Sequence, residues 1–394
     1  MNLLEVVKLN QNLVVSQLRK MEGSIYWDMV SKARNFKNVL ALLGGDPDFV
    51  TPKHIVDTAI NALKEGKTHY PPTPGIPELR QAIAKYNWKY GIDWKASEVI
   101  VTSGSGIALY MAMKGTLTPG EEVIVLDPYF MAYHDLINYF GVKEVPVSLE
   151  EDSGYHLNIE NLTEKITAKT KMIILCTPNN PTGTVFTKKE LTGIADLAND
   201  NDLIVISDEV YNEYIWDENI HISISNLPGM KERTIICNSF SKTFAMTGWR
   251  LGYLITDEPI ASLLSKIPVG YRPATFIQLA GIKALKGPWS PMNKMKLEYD
   301  TRRQYLVKRL NEINGLSCPI PEGAFYLFPN IEETGQKSIP FCEGLLEEKK
   351  IGIVPGLACG NNGEYHVRIP LVKPMEELTK FADGIEEYIS KQIS

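Results

Sequence analysis

The 394-residue chain reads as an α/β protein built on a mainly parallel sheet and followed by a second, α+β part. Three observations predict this. Between about residues 53 and 256, helical-period segments alternate with short β-rich runs. Those runs are apolar and β-branched almost throughout, the pattern of strands covered on both faces. After about residue 285 the texture changes to long amphipathic helices around short strands, with no flexible Gly/Ser linker between the two parts.

Each element rests on its own stretch of sequence. Residues 53–65 and 76–90 predict helices, Glu98–Val101 a strand, and an apolar helix starts at about Ile107. Strands are expected at Glu122–Leu126, Lys171–Leu175, Leu203–Ser207, Thr234–Cys237 and Leu251–Leu254, with helices near 131–140 and 188–200. In the second part, helices are expected near 289–314 and 374–390, and strands at Ala324–Phe328 and Tyr365–Ile369. A sheet of the first kind binds ligands at the carboxyl ends of its strands.

Composition narrows the class of function. With 44% apolar and 22% charged residues the chain is ordinary for a globular protein, and no run approaches the ~18 apolar residues of a membrane span. Its start, Met1–Lys8, lacks the long apolar stretch and cleavage site of a secretory signal. Cys176, Cys237, Cys318, Cys342 and Cys359 are scattered without C-x-x-C spacing, which argues against a disulfide framework or a metal site and suits a reducing cytoplasm. A net charge of −6 gives no electrostatic reason to expect nucleic acid. The one basic stretch, Lys294 to Arg309, is interrupted by Glu298 and Asp300 and reads as a solvated helix face.

The strongest chemical signal is Asn238-Ser239-Phe240-Ser241-Lys242-Thr243-Phe244-Ala245-Met246-Thr247-Gly248-Trp249-Arg250, directly after an expected strand. A lysine enclosed at a strand end loses charge by desolvation, and its neutral amine can attack an aldehyde to form a Schiff base. Ser239, Ser241 and Arg250 offer hydroxyls and a donor fork to a phosphate. Ser103-Gly104-Ser105-Gly106, between a strand and a helix, suits either a phosphate cradle or a plain glycine turn.

This segment resembles the lysine motif S-x-S-K-x-x-x-x-x-G-x-R of the pyridoxal-phosphate-dependent class I/II aminotransferases, the aspartate-aminotransferase-like group of fold type I. Further blocks similar to that family occur in its order: Gly45-Asp46-Pro47-Asp48-Phe49, Tyr70 before Pro74–Arg80, Pro178-Asn179-Asn180-Pro181-Thr182-Gly183, Ser207–Tyr211, Gly323-Ala324-Phe325-Tyr326 and Val367-Arg368-Ile369. The resemblance runs from roughly Arg19 to the C-terminus.

The resemblance implies a mainly parallel seven-stranded sheet in a large domain, residues 46–285. It implies a smaller domain made of residues 1–45 and 286–394. Pyridoxal 5′-phosphate is the implied cofactor. Lys242 would hold its aldehyde and later move the substrate's α-proton, and Asp208 would keep the pyridine nitrogen protonated. Tyr211 and Asn180 would bond the phenolic oxygen, Phe130 would stack on the ring, and Ser105, Gly106, Ser239 and Arg250 would hold the phosphate. Arg368, with Gly45 and Asn180, would grip the substrate α-carboxylate. Tyr70 would reach the phosphate of a neighbouring subunit, implying a homodimer with shared sites.

The implied reaction is ping-pong transfer of an amino group from an L-amino acid to a 2-oxo acid, both of them small molecules. Carbon–sulfur lyases and cyclopropane-forming synthases share the fold and cofactor residues and form the alternative. Two runs depart from the family pattern, Pro355–Gly360 with Leu357 and Cys359, and Tyr271–Thr275 with Arg272. Both fall near the expected substrate pocket. Arg272 is expected either to select acidic side chains such as those of aspartate or glutamate, or to bind an acidic neighbour or help to hold a phosphate.

Overall fold

The computed structural model describes Leu18, residues 23–270 and residues 272–393, so Tyr271 of the departing run lies outside the described residues. Helix α1 (Ile25–Arg34) leads to β1 (Leu40–Leu42), and α2 (Lys53–Lys64) and α3 (Pro77–Asn87) precede β2 (Val99–Thr102). There follow α4 (Ser105–Thr116), β3 (Glu122–Asp127), α5 (Ala132–Phe140), β4 (Lys143–Ser148), α6 (Ile159–Lys165), β5 (Thr170–Cys176), α7 (Lys188–Asp200) and β6 (Ile204–Asp208). Strands β7 (Thr234–Ser239) and β8 (Gly252–Ile255) complete the main sheet before α8 (Glu258–Leu264), α9 (Thr275–Lys286) and α10 (Ser290–Asn311). The remainder is β9 (Tyr326–Leu327), α11 (Ser338–Lys349), β10 (Ile351–Pro355), β11 (Val367–Pro370) and α12 (Met375–Ile393).

The seven-stranded sheet has the order β2-β8-β7-β6-β5-β3-β4, and only β8 runs against the rest. Its inner strands alternate between two apolar layers. Val123 and Val125 of β3 join one cluster with α4 and α5, while Ile124 and Leu126 join another with α6 and α7. Six strands carry the continuous apolar run of a strand buried on both faces. The seventh, β4, is a partly exposed edge strand that carries Pro146, so its sequence lacks that run.

Local chemistry sets the helices that frame the sheet. In α7, the side chain of Thr187 accepts from the amide of Glu190, and the carboxylate of Glu190 accepts from the amide of Thr187 at 2.7 Å. This capping box starts a helix whose Leu191, Ile194, Ala195 and Ala198 are buried on one face. Each fully buried leucine or isoleucine there stabilises the layer by ~1.5–3 kcal/mol.

A second sheet, β1-β10-β11-β9, sits beside α10, α11 and α12 in its own apolar cluster. Its first strand comes from the N-terminal side: Leu40 pairs in parallel with Ile351. Strands β1 and β10 are short, and neither is marked by the sequence pattern. Among the described residues, no helix is long and apolar enough to cross a membrane.

Candidate active site

A cleft of about 480 Å³ opens where the carboxyl ends of the main-sheet strands meet the second sheet. Lys242 stands three residues past the end of β7, and its Nζ donates to the carbonyl of Gly45, which lies just past β1. Burial is the largest influence on this amine and brings its pKa down to about 8. Arg368 and Arg250 push it the same way, while Asp46 and Asp208 push it back up.

Asp208 is the last residue of β6 and is 3% exposed. Its Oδ2 accepts from the Tyr133 hydroxyl at 2.7 Å, and its Oδ1 from the amide of Val210 at 3.4 Å. Burial pushes its pKa up to about 6 against these two bonds, so it is mainly ionised at neutral pH and suited to a cation. Phe130 lines the same cleft and meets Tyr133 edge to face, with centroids 5.6 Å apart.

Tyr211 and Asn180 face each other: Asn180 Nδ2 donates to the Tyr211 hydroxyl at 3.4 Å. Arg368, on β11, donates to Asn180 Oδ1 at 3.3 Å and to the Leu43 carbonyl at 2.7 Å. Its Nε has no hydrogen-bond partner among the described residues although the residue is buried. Tyr326 closes this corner. Its hydroxyl is 2.9 Å from that of Tyr211, and its ring centroid is 4.9 Å from the Arg368 guanidinium. A Cβ on Gly45 would stand 1.8 Å from the Tyr326 hydroxyl, so only glycine fits there.

Ser105, Gly106, Ser239 and Arg250 line another part of the same cleft. Helix α4 starts at Ser105 with no side-chain cap, which leaves the first-turn amides of Ser105 and Gly106 open. Gly104 has φ +88°, and a Cβ there would meet Arg250 Nη2 at 2.3 Å. Arg250 is anchored by the Thr247 carbonyl at 3.0 Å, and the Ser239 hydroxyl accepts from the Ser241 amide at 3.3 Å.

The structure therefore brings together Lys242, Asp208, Tyr211, Asn180, Phe130, Ser105 and Gly106 with Ser239, Arg250, Gly45 and Arg368. Two expected residues stand apart. Tyr70 is 73% exposed and outside its own chain's cleft. Arg272 is buried outside that lining, with Nη1 3.6 Å from Met111 Sδ and Nε without a partner among the described residues.

Several cleft residues are not among the candidates singled out from the sequence. Tyr133 reaches Asp208 from α5, 75 positions away, so only folding reveals the pair. Tyr326 stands inside the Gly-Ala-Phe-Tyr block, which was its available signal. Tyr26 and Trp27 of α1 and Asp135 of α5 line the cleft from helices that show only amphipathic patterning.

The donor set fits a molecule with a cationic ring nitrogen at one end and a phosphate at the other. Asp208 is a buried carboxylate without a cationic hydrogen-bond partner among the described residues, and the α4 amides with Arg250 form an anion cradle that a Cβ on Gly104 would fill. The spare buried Nε of Arg368 adds a place for a second anion beside Lys242.

Comparison with known proteins agrees with this geometry. A family model described as aminotransferase class I and II matches residues 37–385. An aspartate aminotransferase of Pyrococcus abyssi is 44% identical over 366 residues, covering 91% of this chain and 94% of the relative. Aromatic-amino-acid aminotransferase 2 of Thermococcus litoralis is 41% identical over 366 residues, with 91% and 94% covered. A solved structure of an aromatic aminotransferase from Pyrococcus horikoshii OT3 superposes with a TM-score of 0.88 at 42% identity, over 93% of this chain and 99% of that one.

Proposed function

The chain belongs to the class I and II aminotransferases, a family that works with pyridoxal phosphate, and on that premise we propose that its cleft holds this cofactor while moving an amino group from an L-amino acid to a 2-oxo acid. The relatives named above are aminotransferases, so a carbon–sulfur lyase or a cyclopropane-forming synthase is not favoured. One observation carries the reading. A lysine with a lowered pKa, a buried carboxylate and a buried arginine with a spare donor face one cleft beside an anion cradle.

When bound, the cofactor supplies an aldehyde that takes up the amino group and a protonated pyridine ring that draws electrons from the substrate α-carbon. Asp208 would hold the ring nitrogen's proton, with Tyr133 keeping the carboxylate in place. Tyr211 and Asn180 would orient the phenolic oxygen, and Phe130 would cover the ring face. The amides of Ser105 and Gly106, the Ser239 hydroxyl and Arg250 would hold the phosphate.

Arg368 would grip the substrate α-carboxylate, with Gly45 leaving room for it. Lys242, with a pKa of about 8, keeps enough neutral amine at neutral pH to take the α-proton and hand it on. Arg368 is the one buried arginine lining the cleft among the described residues, so donor and acceptor would use it in turn, as a ping-pong scheme requires.

We assign residues 46–285 to a cofactor-binding domain and residues 1–45 with 286–394 to a small domain. The main sheet falls wholly within the first range and the second sheet within the other two. A cytoplasmic homodimer sharing its sites is the proposed assembly, supported by the exposed Tyr70 standing outside its own cleft. Under the same reading, Arg272 would act on a side-chain carboxylate only from outside the cleft of its own chain.

The test is a single half-reaction. The cofactor-loaded protein mixed with an L-amino acid alone is expected to bleach its visible band and release one equivalent of 2-oxo acid per site. Lys242→Ala is expected to lose that band on gel filtration while keeping its circular dichroism. Release of ammonia with no aminated cofactor would overturn the reading.

A further inference from the structure

The basic stretch of α10, expected as a solvated helix face, is only partly one. Lys294 and Lys308 are exposed, whereas Arg302 and Arg303 are buried. Each buried guanidinium forks onto a carboxylate. Arg302 donates from Nη1 and Nη2 to the two oxygens of Asp48 at 2.8 and 3.0 Å, and Arg303 does the same to Asp217 at 2.9 and 3.1 Å. The two pairs hold different parts of the chain. Asp217 and Pro321, whose carbonyl accepts from Arg303 at 2.8 Å, lie outside the cleft lining.

Asp48 instead ends a segment with three holds on the cleft. The Leu43 carbonyl accepts from Arg368 Nη2 at 2.7 Å, the Gly45 carbonyl accepts from Lys242 Nζ, and Asp46 accepts from the Thr247 hydroxyl at 2.6 Å. Arg302 Nη1 also donates at 3.0 Å to the carbonyl of Leu371, the residue that follows β11, the strand of Arg368. One nitrogen therefore joins both segments that aim the Arg368 guanidinium, its own strand and the backbone to which it donates. The Arg302 fork is itself fixed: Nε donates to Glu298 at 3.0 Å, and the guanidinium lies 5.2 Å from the Phe49 ring centroid and 5.4 Å from that of Tyr299.

Lys242 has a separate anchor, since its carbonyl accepts from the Tyr214 hydroxyl at 3.0 Å. A shift of the 43–48 segment leaves that anchor in place. It moves Leu43, one of the two residues to which Arg368 donates among the described residues.

We propose that Asp48 and Arg302 are positioning residues for the substrate α-carboxylate: their fork sets the spacing between the 43–48 segment and the end of β11, and with it the aim of Arg368. The proposal rests on the aminotransferase reading of the cleft. Desolvation offsets much of the attraction in a buried pair, whereas a bidentate fork fixes the relative position of the segments it joins. An asparagine at position 48 would keep one acceptor oxygen and turn an N–H toward the guanidinium, which breaks the fork.

The experiment follows the cofactor band of the loaded protein in the amino-acid half-reaction, with L-aspartate and L-tyrosine in turn at a series of concentrations. Asp48→Asn is expected to raise the half-saturating concentration at least about tenfold for both amino acids, with the limiting rate within about threefold, the mark of lost binding shared by ground and transition states. Arg302→Lys, which keeps the charge and loses the fork, is expected to shift both amino acids in the same direction. Asp217→Asn is the control: its melting temperature is expected to fall, with half-saturation within about twofold of the parent. A lower melting temperature with unchanged half-saturation in both Asp48→Asn and Arg302→Lys overturns the proposal, and so does a rise confined to one amino acid, because the α-carboxylate is common to the two. Failure of the parent protein to convert either amino acid would instead sink the aminotransferase reading, and this proposal with it.

Discussion

The hydroxyls of Tyr211 and Tyr326 lie 2.9 Å apart, joining the segment after β6 to the first residue of β9 in the other sheet. Tyr326 thereby ties the Tyr211 side of the cleft to Arg368, whose guanidinium lies 4.9 Å from its ring centroid.

Removing that hydroxyl separates its two effects. Tyr326→Phe keeps the ring over Arg368 and is expected to lower kcat/KM about three- to tenfold, the worth of one neutral hydrogen bond. Gly45→Ala is expected to cost about 10²-fold, since a misplacement of about 1 Å at a reacting centre has that effect. The double variant Gly45→Ala/Tyr326→Phe is expected to recover several-fold over Gly45→Ala, because the atom met at 1.8 Å is the hydroxyl oxygen. Strict additivity of the two losses would mean that Gly45 does not answer to Tyr326.

Asp208→Asn preserves shape and removes charge. Turnover is expected to fall about 10²-fold or more with cofactor still bound, since an electrostatic partner aimed at developing charge is worth that much. Steady-state rates and the absorbance of the bound cofactor provide the measurement. Turnover within threefold of the parent would dismiss the electron-drawing role of this carboxylate.

Tyr70 is assigned to a neighbouring subunit's site, and complementation tests this. Tyr70→Ala and Lys242→Ala chains are each expected to be nearly inactive alone. Refolded together, they form hybrid dimers in which one site combines an intact Lys242 with the neighbour's intact Tyr70. Up to about a quarter of parental activity is expected, the statistical yield of one good site in half of the dimers. No recovery, with hybrids confirmed by mass, would confine Tyr70 to its own chain.

His156 sits between two carboxylates, with Nδ1 3.1 Å from Glu190 and Nε2 3.3 Å from Glu322. Hydrogen bonds to Glu190 first and Glu322 second raise its pKa to about 10. The unfolded histidine titrates near ~6.5, so the folded state holds the extra proton between the two values. The resulting stabilisation is complete below about pH 6.5 and is lost as pH rises toward 10. His156→Gln is expected to cost about 1–2 kcal/mol at pH 6 after solvent screening, and its melting temperature should converge on the parent's toward pH 10. A gap independent of pH would exclude the charge as its source.

The strands of the main sheet were legible because burial on both faces writes an unbroken apolar run, as in Leu203–Ser207. Strand β4 was not, since Pro146 and its partly exposed edge position break that run. Lys242 and Arg250 were legible from a spaced motif with hydroxyls on one loop. Tyr133, Trp27 and Asp135 were not, because they reach the cleft from neighbouring helices, and the partner of Tyr133, Asp208, is 75 positions away. Gly45 shows the limit most clearly. In the sequence it is a turn before Asp-Pro-Asp, whereas in the fold a tyrosine 281 positions later forbids it a side chain.

The parallel pairing of Leu40 with Ile351 also sets a birth order for the site. Strand β1 leaves the ribosome early, and the strand that receives it is made roughly three hundred residues later, tens of seconds at ~5–20 residues per second. Until then the Gly45 carbonyl has no fixed place from which to hold Lys242. Ser105, Ser239 and Arg250 on one side of the cleft are thus all made before the strands that fix Gly45 and carry Arg368, so the two sides of the cleft are completed in that order.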